Sequence, residues 1–95
     1  MDCRAVEFTG HAARRMFERK INIKNVITVI YHGEIIDDYP HDEPLPSYLV
    51  LGFTDDNPLH VLFAVDKKQG ICYIVTVYFP DPARWEKDWK TRRKA

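Results

Sequence analysis

An α+β fold is predicted by a change in the spacing of apolar residues near Gly33. Before that glycine the apolar residues recur every three or four positions, which is typical of amphipathic helices. After it they alternate with polar residues in four short runs, which is typical of antiparallel strands. A chain of 95 residues suits one domain. The sequence therefore predicts a single domain over 1–95, with two N-terminal helices, a four-stranded, mainly antiparallel sheet and a short C-terminal helix.

Two helices are predicted to precede the sheet. Thr9 or Gly10 can cap a helix over about 10–20, whose apolar side is formed by alanines, Met16 and Phe17. Asn22 is a good N-cap for a second helix, and Gly33 is expected to end that helix in a left-handed conformation. The two helices would form a hairpin.

Four strands are predicted from the runs EIIDDY, SYLVLGFT, LHVLFAVD and ICYIVTVYF. The last run is the most apolar and is expected to be central. Strict alternation would place Thr76 and Tyr78 on the same face as Cys72 and Ile74. The C-terminal helix is predicted over the run ARWEKDWKTRRK, with its two tryptophans, four positions apart, docked on the sheet.

Cysteine content and hydropathy favour a cytoplasmic protein. Cys3 and Cys72 are far apart and have no CxxC spacing, so both thiols are predicted to be reduced. The N-terminus lacks the layout of a signal peptide. No apolar stretch approaches the roughly 18 residues of a membrane span, so no membrane association is expected.

The net charge of zero conceals an uneven distribution along the chain. Residues 1–32 hold six Lys or Arg against three Asp or Glu, and residues 67–95 hold eight against three. Residues 33–66 hold eight acidic residues and no Lys or Arg. The two ends could form a basic surface suited to a phosphate backbone. Alternatively, the opposite charges simply complement one another within the fold.

The first candidate for chemistry is the polar side of the first helix, which carries His11, Arg14, Arg15 and Arg19. Metal-independent cleavage of RNA needs a base for the attacking 2′-hydroxyl and cations for the charge that builds on phosphorus. A histidine among arginines can supply both roles. The alternative is a solvated basic helix face with an incidental histidine, and spacing alone favours it.

Two further candidates lie in the sheet region. Tyr78, supported by Thr76, could transfer a proton or stack on a base, although threonine and tyrosine are common in strands anyway. An acidic loop, formed by Asp37, Asp38, His41, Asp42 and Glu43, could hold Mg²⁺ or Ca²⁺, although its spacing matches no calcium loop. His32 and His60 are interpreted as isolated residues of a helix end and a strand.

The run FTGHAARRMFERKINIKNV resembles the opening signature of a small domain-of-unknown-function family, T-x-H-A, then R-M, then R-x-I. The later runs EIIDDYP, SYLVLG, PLHVLFAV and TVYFPDPARW resemble the rest of that family in order. The family is generally grouped with the RelE/ParE-like toxins of bacterial toxin–antitoxin modules, and its members are often encoded beside a small antitoxin-like protein with a CxxC zinc finger.

The resemblance implies a toxin that cleaves mRNA without metal or cofactor and is neutralised by a cognate antitoxin. Carried over to this chain, the catalytic residues would be His11, Arg15, Arg19 and Tyr78. RNA, either alone or on the ribosome, would be held by cations at both ends of the chain: Arg14, Lys67, Lys68, Arg92 and Arg93. The alternative is a non-catalytic ParE-like inhibitor or protein-binding module. A metal-dependent nuclease that uses the acidic loop is a third hypothesis.

Overall fold

The computed structural model describes residues 3–94, in which two helices pack on one side of a five-stranded mixed sheet. The spatial order of the strands is β1-β5-β4-β3-β2. In chain order the elements are β1 (Ala5–Phe8), α1 (Gly10–Arg19), α2 (Ile23–His32), β2 (Glu34–Tyr39), β3 (Ser47–Thr54), β4 (Asn57–Asp66) and β5 (Ile71–Tyr78). The predicted α+β class and the two helices are confirmed.

The prediction of a four-stranded sheet is wrong, because a fifth strand precedes the first helix. β1 pairs in parallel with β5, from Ala5 opposite Ile71 to Phe8 opposite Ile74. The other three pairings are antiparallel, as expected. β1 has only four residues and a weak alternation of exposure, and its partner lies more than sixty positions away, so no local pattern marks it as a strand.

Both helix N-caps are as predicted, whereas the helix ends differ. The side chain of Thr9 accepts a hydrogen bond from the backbone N–H of Ala12, and Asn22 caps α2 through Asn25. The left-handed stop occurs at Lys20, at the end of α1. Gly33 is extended instead, with φ −78°. A Cβ there would lie 2.6 Å from the carbonyl oxygen of Leu51, so close packing against β3, rather than a left-handed turn, requires this glycine.

A bulge in β5 changes which of its side chains share a face. Leu62 lies opposite Thr76 and Phe63 lies opposite Ile74, which leaves one extra residue, Val75, on β5. Val77 therefore joins Ile74 in the core beneath the helices. Thr76 and Tyr78 share a face, as predicted, but it is the face opposite to the core. The prediction that they share the face of Cys72 and Ile74 is therefore wrong.

The core lies between the helices and one face of the sheet. Ala12 and Met16 of α1 and Val26 and Ile30 of α2 pack there against fully buried residues of the central strands, such as Phe63. Burial of this apolar surface is the main term that stabilises the domain. The helices thus cover one side of the sheet and leave the other side to the C-terminal residues.

The prediction of a C-terminal helix is wrong. Residues 79–94, here called the C-terminal strap, are irregular and cross the second face of the sheet. The carboxylate of Asp88 accepts hydrogen bonds from the backbone N–H groups of Lys90 and Thr91, and Asp81 binds the N–H of Ala83 in the same way. Such bonds compete with helix formation. Trp85 is buried, as expected of a docked tryptophan.

The two cysteines form a disulfide, which corrects the prediction of reduced thiols. Cys3 and Cys72 are 69 positions apart in sequence, yet their Cα atoms lie 5.7 Å apart, within the range of a disulfide. The parallel pairing of β1 with β5 brings them together, and this pairing was not visible in the sequence. Within residues 3–94, no helix combines the length and the apolar character that crossing a membrane requires.

Candidate active site at the arginine cleft

The second face of the sheet, beneath the C-terminal strap, holds the densest group of polar and aromatic side chains. Tyr78 of β5 and His60 of β4 lie directly opposite each other across the strand pair. The His60 ring packs roughly perpendicular to the rings of Tyr78 and Trp85, with ring centroids 5.1 and 4.5 Å apart. His60 is 0% exposed, while Tyr78 is partly exposed, so the histidine lies behind the tyrosine.

The hydrogen bonds of His60 fix its tautomer. Its Nε2 lies 2.7 Å from the carbonyl oxygen of Trp89, which can only accept, so Nε2 carries the proton. Burial lowers the pKa of His60 below its usual value, against an opposing effect of that carbonyl, so the ring is neutral at pH 7. Nδ1 is then an acceptor. The hydroxyl of Tyr78, 3.0 Å away, donates to it.

Tyr78 keeps its proton in this arrangement. Burial raises the pKa of its phenol above the usual value, and the positive charge of Arg92 opposes part of that rise. The phenolic proton points at Nδ1, and the oxygen lone pairs remain available to another group. Tyr78 can therefore accept a proton on its exposed side while it passes its own to Nδ1 of His60, and the Trp89 carbonyl holds the proton on Nε2 of the same ring.

A cavity of about 330 Å³ opens beside Tyr78 and is surrounded by arginines. This cavity is here called the arginine cleft. Of the ion pairs between residues 3 and 94, none involves its three guanidinium groups, those of Arg19, Arg84 and Arg92. One carboxylate, that of Asp81, also lines it, so cations outnumber acids three to one. Such a site favours an anion.

Two of these arginines are held in place by specific contacts. Arg19 extends from the end of α1 and donates through Nη1 to the carbonyl oxygen of Val77, at 2.7 Å. β1 pairs with β5 only as far as Ile74, so the backbone groups of β5 beyond that residue have no partner strand on this edge. The bond from Arg19 satisfies one of them, the Val77 carbonyl. The guanidinium carbon of Arg92 lies 4.6 Å from the centre of the Trp85 ring, a cation–π contact.

The structure brings together Arg19, Tyr78 and Arg92 and places His11 and Arg15 elsewhere. His11 is exposed at the start of α1, eight positions before Arg19, which is about 12 Å along a helix. α1 packs on the core face of the sheet, opposite to the face that carries Tyr78. Arg15 forms an ion pair with Glu18 at 3.1 Å.

The remaining predicted residues are dispersed. Thr76 lies next to Tyr78 on the second face, opposite Leu62, and Arg14 is exposed on α1. Lys67 and Lys68 form the turn before β5, at the opposite end of that strand from Tyr78, roughly 20 Å away. Arg93 braces the C-terminal strap, because its Nε donates to the Pro82 carbonyl oxygen and its Nη1 to Glu86.

Sequence reasoning missed two further residues of the site. His60 was interpreted as an isolated strand residue, and Arg84 carried no motif. One signal was available. His60 is the one polar residue in the stretch from Pro58 to Val65 of β4. A fully buried histidine needs partners for both ring nitrogens, and these come from β5 and from the C-terminal strap.

The acidic loop does not assemble a metal site. No group of three or more His, Cys, Asp or Glu side chains within the described part of the chain is placed so that it could hold a metal ion. Two of its carboxylates have local partners instead: Asp37 accepts from the Tyr39 hydroxyl and Asp42 from Ser47.

A family model described as Domain of unknown function (DUF4258) matches residues 8–79. The chain belongs to this family. The match runs from the end of β1 through β5 and includes His11, Arg19, His60 and Tyr78. The C-terminal strap of this DUF4258 domain, which supplies Arg84 and Arg92 to the cleft, lies beyond the matched residues from Pro80 onward. No curated protein and no solved structure matches the chain.

Proposed function

We propose that this protein is the toxin of a type II toxin–antitoxin module and acts as a metal-independent endoribonuclease at the arginine cleft. The observation that carries the proposal is the position of Tyr78, whose phenol lies between a neutral buried histidine and three arginines without carboxylate partners. The expected grouping of the chain's family with the RelE/ParE-like toxins supports the proposal as well. RNA is the substrate because a 2′-hydroxyl provides an internal nucleophile.

In the proposed reaction the scissile phosphate lies against Arg19 and Arg92, whose charges neutralise the negative charge that builds on phosphorus. The 2′-hydroxyl transfers its proton to the Tyr78 oxygen as it attacks, while the phenolic proton moves to Nδ1 of His60. The Trp89 carbonyl stabilises the resulting imidazolium through Nε2–H. The bond to the 5′-oxygen breaks, and that oxygen takes a proton from water. The hydroxide left behind takes back, through Tyr78, the proton that His60 received, so the neutral pair is restored and a 2′,3′-cyclic phosphate remains.

This assignment moves the proton-accepting role from His11 to Tyr78 and His60. His11 and Arg15 lie on the helix side of the sheet with Arg14, on the same helix as the cleft residue Arg19, and Glu18 pairs with Arg15. We place the RNA strand across the cleft, with the exposed cations of α1 contacting phosphates further along. Lys67 and Lys68 lie at the far end of β5, so they would contact only an RNA long enough to extend there from the cleft, or one bound to the ribosome.

The direct test is cleavage of an end-labelled RNA by the purified protein in the presence of EDTA. We expect products that end in a 2′,3′-cyclic phosphate from the wild type and none from a Tyr78→Phe variant. Expression in bacteria should arrest growth and degrade mRNA. Intact RNA in vitro together with normal growth and intact message would show that the protein is not a nuclease.

The proposed biological partner is a cognate antitoxin, and a small CxxC zinc-finger protein is one candidate. The proposed location is the cytoplasm, where the message is. This location rests on the proposed substrate alone, because the Cys3–Cys72 disulfide overturns the reduced thiols that favoured it. A surface suited to a protein partner lies at the α1–α2 junction. Phe17 is 86% exposed and Ile23 is 55% exposed, beside a groove of about 300 Å³ lined mainly by Phe8, Ala13, Met16 and Ile21. Exposed apolar surface of this kind marks interaction sites.

The same surface favours a second candidate function, a non-catalytic, ParE-like inhibitor that binds a protein target. This candidate predicts growth arrest that survives Tyr78→Phe and is abolished by Phe17→Ser, with mRNA intact. The nuclease hypothesis predicts instead that Tyr78→Phe abolishes the growth arrest. A pair of growth assays on these two variants therefore separates the two functions.

A further inference from the structure

A second cavity, of about 320 Å³, adjoins the arginine cleft on the same face of the sheet. The two cavities share Tyr78 and Arg92. The floor of the second cavity is apolar and is formed by Leu49 of β3 and Leu62 of β4, which lie opposite each other across the strand pair. Its volume is near the lower limit for small-ligand sites, roughly 300 Å³. We call it the side cavity.

The outer wall of the side cavity is polar and well fixed. The Ser47 hydroxyl, which is almost fully buried, donates to Oδ2 of Asp42 at 2.6 Å. The backbone N–H of Asp42 donates to the Tyr39 carbonyl oxygen at 3.2 Å. Oδ1 of Asp42 accepts no hydrogen bond from any residue between 3 and 94. One carboxylate oxygen is therefore held in place and still able to accept.

The neighbouring aromatic wall is anchored too. The Tyr39 hydroxyl donates to Oδ2 of Asp37 at 3.0 Å and accepts from Arg92 at 3.5 Å. Its ring lines the cavity together with the two leucines, and its hydroxyl end carries the cation of Arg92. A planar, partly apolar ligand that carries hydrogen-bond donors on its edge fits such a cavity. A second phosphate does not, because the Asp42 carboxylate would repel it.

We propose that the side cavity is a nucleobase subsite that selects the base next to the scissile phosphate. This inference rests on the proposed RNA substrate. A phosphate held by Arg92 in the arginine cleft brings the adjoining base within reach of the side cavity, since Arg92 lines both. The base lies on Leu49 and Leu62, beside the Tyr39 ring, with its Watson–Crick edge toward Asp42. Single-stranded RNA is commonly recognised through that edge.

The chemistry of Asp42 sets the order of preference among bases. Guanine presents two adjacent donors, N1–H and the 2-amino group. One of them matches the free Oδ1 of Asp42, and the other matches the second lone pair of Oδ2, whose first lone pair accepts from Ser47. Adenine and cytosine present one amino group. Uracil presents only N3–H, between two carbonyl oxygens that a carboxylate repels. The subsite therefore prefers guanine and disfavours uracil.

Binding to uncleavable RNA tests this selectivity apart from catalysis. The probes are four fluorescein-labelled 2′-O-methyl trinucleotides that differ only in the central base, with anisotropy as the readout. We expect guanine to bind roughly tenfold more tightly than uracil, which is the scale of one good charged hydrogen-bond pair. Asp42→Asn should remove most of that ratio. The matched control is Asp38→Asn. It makes the same charge change at a β2 residue on the face opposite to Tyr39, outside the side cavity, and should leave the ratio intact.

The outcomes separate this inference from the proposed nuclease function. Equal affinities for the four probes, or a ratio unchanged by Asp42→Asn, would overturn the base subsite. A base preference that depends on Asp42 would support it. If the corresponding trinucleotides with 2′-hydroxyls were bound with that preference and never cleaved, the nuclease proposal would fail while the subsite would stand.

Discussion

The hydroxyl of Tyr78 lies 3.0 Å from Nδ1 of His60, and the two residues face each other directly across β5 and β4. Since the other ring nitrogen of His60 donates to the Trp89 carbonyl, the phenol must donate to the imidazole. The strand pair, the C-terminal strap and the site are therefore linked by one short chain of hydrogen bonds. Disturbing any member of this chain should change both chemistry and stability.

Replacement of Tyr78 by phenylalanine should abolish most RNA cleavage. The variant removes the proposed proton-transfer group, and such a group is typically worth roughly 10² to 10⁴ in rate. It also leaves Nδ1 of buried His60 without a donor, which should lower the free energy of unfolding by about 1–3 kcal/mol. Cleavage kinetics and urea denaturation measure the two effects.

The matched control for that variant is Tyr73→Phe, on the same strand and on the same face before the bulge. It should change neither measurement appreciably. If both variants lost a comparable amount of cleavage rate, the effect of Tyr78→Phe would be structural, and Tyr78 would not be a proton-transfer group.

Removal of the Arg19 guanidinium should lower kcat more than it weakens RNA binding. Arg19 is proposed to act on the charge of the transition state, so Arg19→Ala should cost roughly 10² to 10³ in kcat, the typical cost of removing one such donor. Arg19→Lys should retain part of the activity, because lysine keeps the charge but not the planar fork. Single-turnover kinetics separate the two effects.

Arg14→Ala serves as the control on the same helix. It should weaken RNA binding evenly across sequences and reduce the slope of log affinity against log salt concentration by about one, with kcat unchanged. If Arg14→Ala lowered kcat as much as Arg19→Ala, the arginine cleft would not be the reaction centre.

The stability of the protein should fall between neutral pH and mildly acidic pH because of His60. Burial lowers the pKa of His60 in the folded state below its unfolded value of about 6.5. Below that value the unfolded chain binds a proton that the folded chain does not, so acid favours unfolding. The contribution of His60 is fully present above pH 6.5 and is lost as the pH falls toward the folded-state pKa.

Thermal melts of the wild type and of His60→Gln at pH 7.5 and pH 5.5 test this expectation. The variant should be less stable at pH 7.5 and should lose less stability on acidification than the wild type. His32→Gln, at an exposed helix end, is the control and should follow the wild type. A wild-type Tm that stays constant over this range would contradict the buried neutral imidazole.

Reduction of the Cys3–Cys72 disulfide should destabilise the fold mainly through the unfolded chain. The bond closes a loop of 69 positions, and such cross-links typically contribute about 2–4 kcal/mol by restricting the unfolded state. Dithiothreitol should therefore lower the urea midpoint of the wild type. A double variant, Cys3→Ser with Cys72→Ser, should already have the lower midpoint and should not respond to the reductant.

Local sequence patterns predicted most of the elements but only part of the candidate site. The caps at Thr9 and Asn22 and the four antiparallel strands were visible because each depends on neighbouring residues. Tyr78, Arg19 and Arg92 were named from the sequence, whereas His60 was interpreted as an isolated residue. Its role depends on Tyr78 and on the Trp89 carbonyl, which are 18 and 29 positions away.

By itself, the sequence determined the α+β class, the helix starts and the antiparallel strands, because hydrophobic periodicity and capping act over a few residues. Only the tertiary structure decided the parallel strand β1, the disulfide, the irregular C-terminal strap and the grouping of arginines around Tyr78. Each of these depends on residues brought together from distant parts of the chain. Their stabilisation comes from contacts that no short stretch of sequence contains, so local patterns could not reveal them.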